Sequence, residues 1–242
     1  MKLGVAFYSE THYVYIHSHP NIMSGPMALG KQAKVLNKAQ ADAVLGFLNT
    51  TRYPERNRLI FLLSIKAGLR AKEIASLRWE MLTDAEGDLS EVISLTDKAS
   101  KGRSGRTIPI NRDLRGALEL MIKARDKETL SYRNSPFVIT SERGERTSPA
   151  SIVNMFRGWY YSLKFIGASS HSGRRTFITN AARRISTVGG SLRDVQILAG
   201  HSALSTTQRY ILQLLQSRRL AELYMQSTHR KAQQMQPRLM GI

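Results

Sequence analysis

The chain contains no cysteine, which removes disulfide scaffolds, zinc–thiolate sites and thiol nucleophiles and fits a reducing compartment. Long apolar runs are missing too: the longest, Leu59 to Ile65, is far too short to span a bilayer. Residues Met1 to Ser9 carry one lysine and a short apolar stretch, without the length or cleavage pattern of a secretory signal. No glycine-rich phosphate loop and no dense carboxylate cluster is present, so neither a nucleotide cofactor nor a metal is expected. The acidic run Asp84, Glu86, Asp88 is not a calcium loop, because Leu95 stands where the twelfth-position ligand belongs; a solvated turn is expected. Acidic residues are scarce beside basic ones, 18 against 36, and the formal net charge is +18. An excess of that size repels itself in a compact fold unless a polyanion is the partner. Nucleic acid is therefore the first candidate partner, and an anionic membrane is the runner-up, disfavoured because no long basic amphipathic helix stands alone.

Residues 1–32 read as a poorly ordered leader. They hold His12, His17 and His19 but little periodicity, and His17-Ser18-His19 has no further ligand at a helpful spacing for a metal. From Ala33 the pattern turns helical. Leu36 to Leu48 forms an amphipathic helix with Asn37 as a cap. Arg56 to Lys66 is apolar on nearly all sides and predicts a buried helix ended by Gly68. A third helix is expected from Arg70 or Ala71 through Ile74, Leu77, Trp79 and Met81. Then the period shortens: Ile93 and Leu95, and later Ile108 and Ile110, alternate with polar residues. Two antiparallel strands joined by the basic stretch Lys98 to Arg106 follow from that. Helices resume at Asp113 to Lys127, after Ser148, around His171 and Arg174 (capped by Ser169 or Ser170), and from Ser191 to a stop at Gly200. From about residue 211 the apolar spacing predicts a helical tail reaching about Gln234. The fold class expected is α+β, mainly helical, with a small antiparallel sheet, the domain occupying residues 33–242.

The chemistry-bearing residues lie far apart in the chain. Arg70 stands in Ala67-Gly68-Leu69-Arg70, Arg174 in His171-Ser172-Gly173-Arg174, and Tyr210 nine residues after His201. Attack on a DNA phosphodiester builds extra negative charge on the phosphate oxygens, so catalysis is mostly positioning and electrostatic stabilisation. Arginine suits this, because its rigid fork binds two oxygens and keeps its proton. Tyr210 would be the nucleophile, although a free phenol with pKa near 10 is only roughly one part in a thousand ionised at neutral pH. A neutral imidazole of His171 or His201 would accept its proton. Lys101, or Lys98 close by, would reach in from the hairpin loop to protonate the leaving sugar oxygen. A covalent phosphotyrosine conserves bond energy, so resealing needs neither ATP nor a metal.

These segments resemble the tyrosine recombinase (phage-type integrase) family over about residues 33 to 228. Gly68-Leu69-Arg70 with Glu73 resembles its first arginine box, where the acid supports the site. Lys101-Gly102 followed by Arg106-Thr107-Ile108-Pro109-Ile110 is similar to its β-hairpin lysine motif. His171-Ser172-Gly173-Arg174, Gly200-His201 and Thr206-Thr207-Gln208-Arg209-Tyr210 resemble its remaining boxes. The resemblance implies Arg70, Lys101, His171, Arg174, His201 and Tyr210 as catalytic positions, the DNA breaking-rejoining catalytic fold, and no cofactor. Arg103, Arg106 and Arg175 are candidate DNA contacts. The sequence departs from the family at Gly173, where leucine is usual, and at Arg175, where histidine is frequent. With only about 32 residues ahead of the catalytic part, the chain resembles short members such as fimbrial-type invertases, or a fragment working with a partner recombinase or accessory protein. The implied activity is site-specific recombination through a 3′-phosphotyrosine, by a tetramer on DNA, in the cytoplasm at the nucleoid. A non-cleaving regulator of the same fold and a type IB topoisomerase are the rival readings.

Overall fold

The segment that is apolar all round decides the architecture, because it has no face to give to water. The computed structural model describes residues 33–97, 105–126, 134–142, 146–210 and 212. In it, helix α1 (Lys38–Leu48) opens with the Asn37 cap expected: Asn37 Oδ1 accepts from Gln40 N at 2.8 Å, and Gln40 Oε1 accepts from Asn37 N at 3.1 Å. Helix α2 (Pro54–Lys66) starts with proline in its first turn and buries Leu59 through Ile65 without a break. Burying each such Leu, Ile or Phe contributes about 1.5–3 kcal/mol, so α2 belongs at the centre. It packs against α4 (Arg112–Asp126) and, on another side, against α6 (Ser172–Arg184). Helix α3 (Ala71–Ala75) lies on α5 (Pro149–Ser162), whose N-cap Ser148 accepts from Ser151 N at 3.0 Å. Phe61, Phe156, Trp159 and Tyr160 fill the space between with aromatic contacts.

Strands β1 (Val92–Leu95) and β2 (Arg106–Pro109) pair antiparallel, with Ile93 opposite Ile108 and Leu95 opposite Arg106. The sheet is the small hairpin expected, and the basic stretch joining its strands, residues 98–104, lies outside the described residues. Period-two alternation turns Arg106 and Ile108 inward together. Helix α7 (Leu192–Ala199) packs on β2 and α6 and ends at Gly200, whose φ of 60° is left-handed. Its first turn is held by Asp194, which accepts from Ser191 N at 2.7 Å, in line with the predicted start. Residues 204–210 are again helical; the expected tail helix and the leader fall outside the described residues. None of the described helices is long and apolar enough to cross a membrane.

Two expectations need correction. The third helix does not run to Met81: it stops at Ala75, and the chain becomes extended before a 3-10 turn at Trp79–Met81. Tertiary pairing overrides helix periodicity there, since Leu77 O accepts from Val138 N and Trp79 N donates to Pro136 O, each at 3.0 Å. The helix carrying Arg174 is not capped by Ser169 or Ser170 either. His171 occupies the N-cap position, while the Ser169 hydroxyl accepts from His171 N at 3.3 Å.

At Gly173, α6 comes close to α2. A Cβ there would press into the side chain of Ser64, 2.9 Å from its Cβ and closer still to its hydroxyl. Leucine is therefore excluded, and the departure from the family pattern is a packing feature. Gly173→Ala is expected to lower stability by about 1–3 kcal/mol through overpacking, against a smaller gain in helix propensity. Urea denaturation of the two proteins would measure it; an unchanged midpoint would mean that Ser64 yields freely.

Candidate active site

Helix α7 leaves its last carbonyls without partners inside the helix, at the negative end of its dipole. Three arginines from three distant segments take them. Arg106 Nε donates to Leu198 O at 2.9 Å, Arg174 Nη2 donates to Ala199 O, and Arg70 Nη2 donates to Gly200 O at 3.3 Å. Arg174 Nη1 also donates to Gly68 O at 2.6 Å, which joins the turn after α2 to the start of α6. Guanidiniums this close repel one another, so a counter-charge must sit among them. Glu73, 0% exposed, supplies it. Its Oε1 accepts from Arg70 Nη1 at 2.8 Å and from Arg106 Nη1 at 3.0 Å, while Oε2 accepts from Arg70 N at 2.8 Å and Arg106 Nη2 at 3.1 Å. Desolvation works to raise the carboxyl pKa, but hydrogen bonds and charge from Arg106, then Arg70, outweigh it and hold it below the usual range.

The expected residues meet here, with exceptions. Arg70 keeps 23% of its side chain exposed, whereas Arg174 is buried. Burial first, then the charge of Arg70, pushes the Arg174 guanidinium down to about 9, so it remains cationic at neutral pH. His171 stands at an exposed position at the start of α6, and its pKa is lowered by partial desolvation and by the charges of Arg174 and Arg70. His201 follows the left-handed turn. Its Nδ1 pairs with the Thr207 hydroxyl at 2.9 Å, and its carbonyl accepts from Gln196 Nε2 at 2.9 Å. Desolvation, followed by Arg174, Arg70 and Arg106, drives its pKa down to about 4.

Tyr210 comes round on the next helical segment and stacks its ring on His201, centroids 5.6 Å apart and planes 17° apart. It packs half-buried against Ile178, Val195 and Ala199, close enough to Arg174 to enter that residue's electrostatics. Arg175 lies over the Tyr210 ring, with its guanidinium carbon 5.7 Å from the ring centroid. Lys101, Lys98 and Arg103 lie outside the described residues.

Arg106 requires a correction. As a DNA contact it would have to reach solvent, yet its side chain is 2% exposed and bound to Glu73 and Leu198. The signal was in the strand: Arg106, Ile108 and Ile110 alternate onto one face, and that face is buried. Sequence reading also missed Thr207, which orients His201, and the fit at Gly200. A Cβ on Gly200 would lie 2.7 Å from Arg106 Nη1, in a left-handed conformation that L side chains seldom adopt.

The profile described as the phage integrase family matches residues 34–216. Tyrosine recombinase XerA of Thermococcus onnurineus is 30% identical over 182 residues, covering 73% of this chain and 57% of that protein. Tyrosine recombinase XerD of Pseudomonas aeruginosa is 29% identical over 205 residues, covering 81% and 63%. The chain thus spans less than two thirds of the length of these relatives. Among solved structures, XerA recombinase superposes with a TM-score of 0.59 at 20% identity, over 77% of this chain and 61% of that one. The Tn1549 transposon integrase in complex with a circular intermediate DNA gives 0.58 at 20% identity, over 74% and 61%. The fold is that of tyrosine recombinase catalytic domains.

The His201 environment makes a direct prediction. NMR titration of its ring should give a midpoint near pH 4, well below the ordinary 6.5. The neutral ring's contribution to stability is full above the unfolded value and is lost as pH falls from about 6.5 toward the folded value. A midpoint at or above 6 would mean that the ring is not desolvated and crowded by the three guanidiniums in this way.

Proposed function

This chain belongs to the phage integrase family, and we propose that it is a site-specific DNA recombinase that cuts and rejoins strands through a covalent phosphotyrosine. One observation carries the reading: Arg70 and Arg174, far apart in sequence, are anchored to the same three-residue turn that leads into His201, on which Tyr210 is stacked. A phosphate bound there would meet two forks, each with N–H groups beyond those used on the backbone. Arg70 and Arg174 hold the non-bridging oxygens and stabilise the charge that grows on them. His201, kept neutral by desolvation of its ring and then by the cations around it, accepts a hydrogen bond or a proton, and His171 is the second candidate base. Tyr210 Oη attacks phosphorus; the bond to the 5′ oxygen breaks, and Lys101 gives that oxygen its proton. The 5′ hydroxyl of another strand then attacks the 3′-phosphotyrosine and releases Tyr210. Glu73 supports Arg70 from beneath.

Double-stranded DNA is the substrate in this reading, and the charge of +18 supplies its electrostatic attraction. Strand exchange requires a second site, which implies a tetramer on DNA, made of this chain alone or with a partner recombinase or accessory protein. Such work places the protein in the cytoplasm at the nucleoid. The relatives named as tyrosine recombinases support the activity.

A nicked suicide duplex drawn from the DNA flanking the gene should trap a covalent adduct, and Tyr210→Phe should abolish it. Arg70→Ala and Arg174→Ala should each slow adduct formation by about 10²–10³-fold. Absence of any adduct would favour a non-cleaving regulator, and relaxation without strand exchange would favour a topoisomerase. Binding to the duplex should weaken by about 10³-fold or more between roughly 50 and 200 mM salt; a flat response would remove DNA as the partner of the basic surface.

A further inference from the structure

We propose that Arg106 is a positioning residue of this active site: its buried guanidinium fixes Glu73 and the Leu198 carbonyl, and through them sets where Arg70 and the turn into His201 stand. The proposal rests on the recombinase reading for its catalytic consequence, but its structural half stands alone. Arg106 is the first residue of β2, a few positions after Lys101 in the sequence. Its two terminal nitrogens match the two oxygens of Glu73 at 3.0 and 3.1 Å, and its Nε reaches Leu198 O at 2.9 Å. One planar group therefore ties the hairpin, the Arg70 box and the end of α7 together. Lysine, with a single nitrogen, cannot span all three acceptors. Gly200 leaves the space this guanidinium occupies, so the turn that presents His201 is shaped around Arg106.

Arg106 is almost wholly buried, so its influence on a phosphate must pass through other residues. Glu73 is faced by Arg70 from the start of its own helix, by Arg106 from β2, and at longer range by Arg174 from α6. Without Arg106, a fully buried carboxylate would keep one close partner. It would then take up a proton at a higher pH than before. A neutral Glu73 no longer draws the Arg70 guanidinium into place, and a displaced clamp costs rate although every group that touches DNA is still present.

The full chain tests this with Arg106→Gln, Arg106→Lys, Glu73→Gln and the double variant Arg106→Gln/Glu73→Gln. Two readouts are needed: thermal midpoint from about pH 4.5 to 8, and single-turnover adduct formation on the suicide duplex. A raised folded-state carboxyl makes the folded protein bind more protons than the unfolded one, so its stability falls as pH rises through that titration. The midpoint gap between wild type and Arg106→Gln should therefore widen with rising pH, and the widening should vanish in the Glu73→Gln background. Adduct formation by Arg106→Gln should drop on the order of 10²-fold, with DNA affinity and its salt dependence unchanged, and Arg106→Lys should recover part of the loss. A gap independent of pH overturns the proposal, as does an unaltered cleavage rate or a shallower salt dependence, which would mark a direct phosphate contact. If wild type forms no adduct, the recombinase reading fails while the thermal arm still decides whether Arg106 fixes Glu73. Should Arg106→Gln not fold, the lysine variant carries both arms with smaller changes of the same sign.

Discussion

A single buried carboxylate lets the rest of the site exist. Arg70, Arg106 and Arg174 converge on one helix end, and three guanidiniums gathered in a protein interior would drive one another apart. Glu73 takes bidentate bonds from Arg106 and a side-chain plus backbone pair from Arg70. Breaking such a cluster by removing one member is far more costly than never having built it. The carbonyls of Leu198, Ala199 and Gly200 add negative potential from the second side, because a helix C-terminus has exposed acceptors to offer. Cations are thus held by fixed partners whose geometry does not depend on DNA.

That arrangement explains why the histidine after the turn is kept uncharged. Its ring is partly desolvated, its neighbours are cations, and Thr207 fixes one nitrogen. An imidazole in that state accepts hydrogen bonds, and the ring of Tyr210 is stacked directly on it. Arg175, where the family frequently has histidine, lies over that phenol ring instead. The substitution replaces a titrating group with a permanent charge beside the tyrosine.

Much of this was legible from periodicity. The apolar circumference of α2, the Asn37 cap, the hairpin and the stop at Gly200 all followed from local rules, since in each case tertiary packing agrees with the local preference. Where packing disagrees, reading failed. Residues 76 to 81 keep a helical spacing of apolar side chains, yet their backbone pairs with residues 136–138 and the helix ends early. Arg106 was read by its charge and not by its parity in the strand, so a buried structural cation was taken for a surface one. The dispersed boxes were recognisable as residue types. The way they connect, three arginines to three successive carbonyls, depends on contacts between segments that no local pattern encodes.

Those connections join positions 70, 106 and 174 to residues 198–200, so almost the whole domain must be in place before the clamp closes. Loop closure over such separations is slow and late. A chain emerging from the ribosome, or one partly melted, has Tyr210 but not the gathered arginines beside it. Under the function proposed above, long-range anchoring would act as a safeguard for the genome: competence to sever a strand would arrive only with the finished fold.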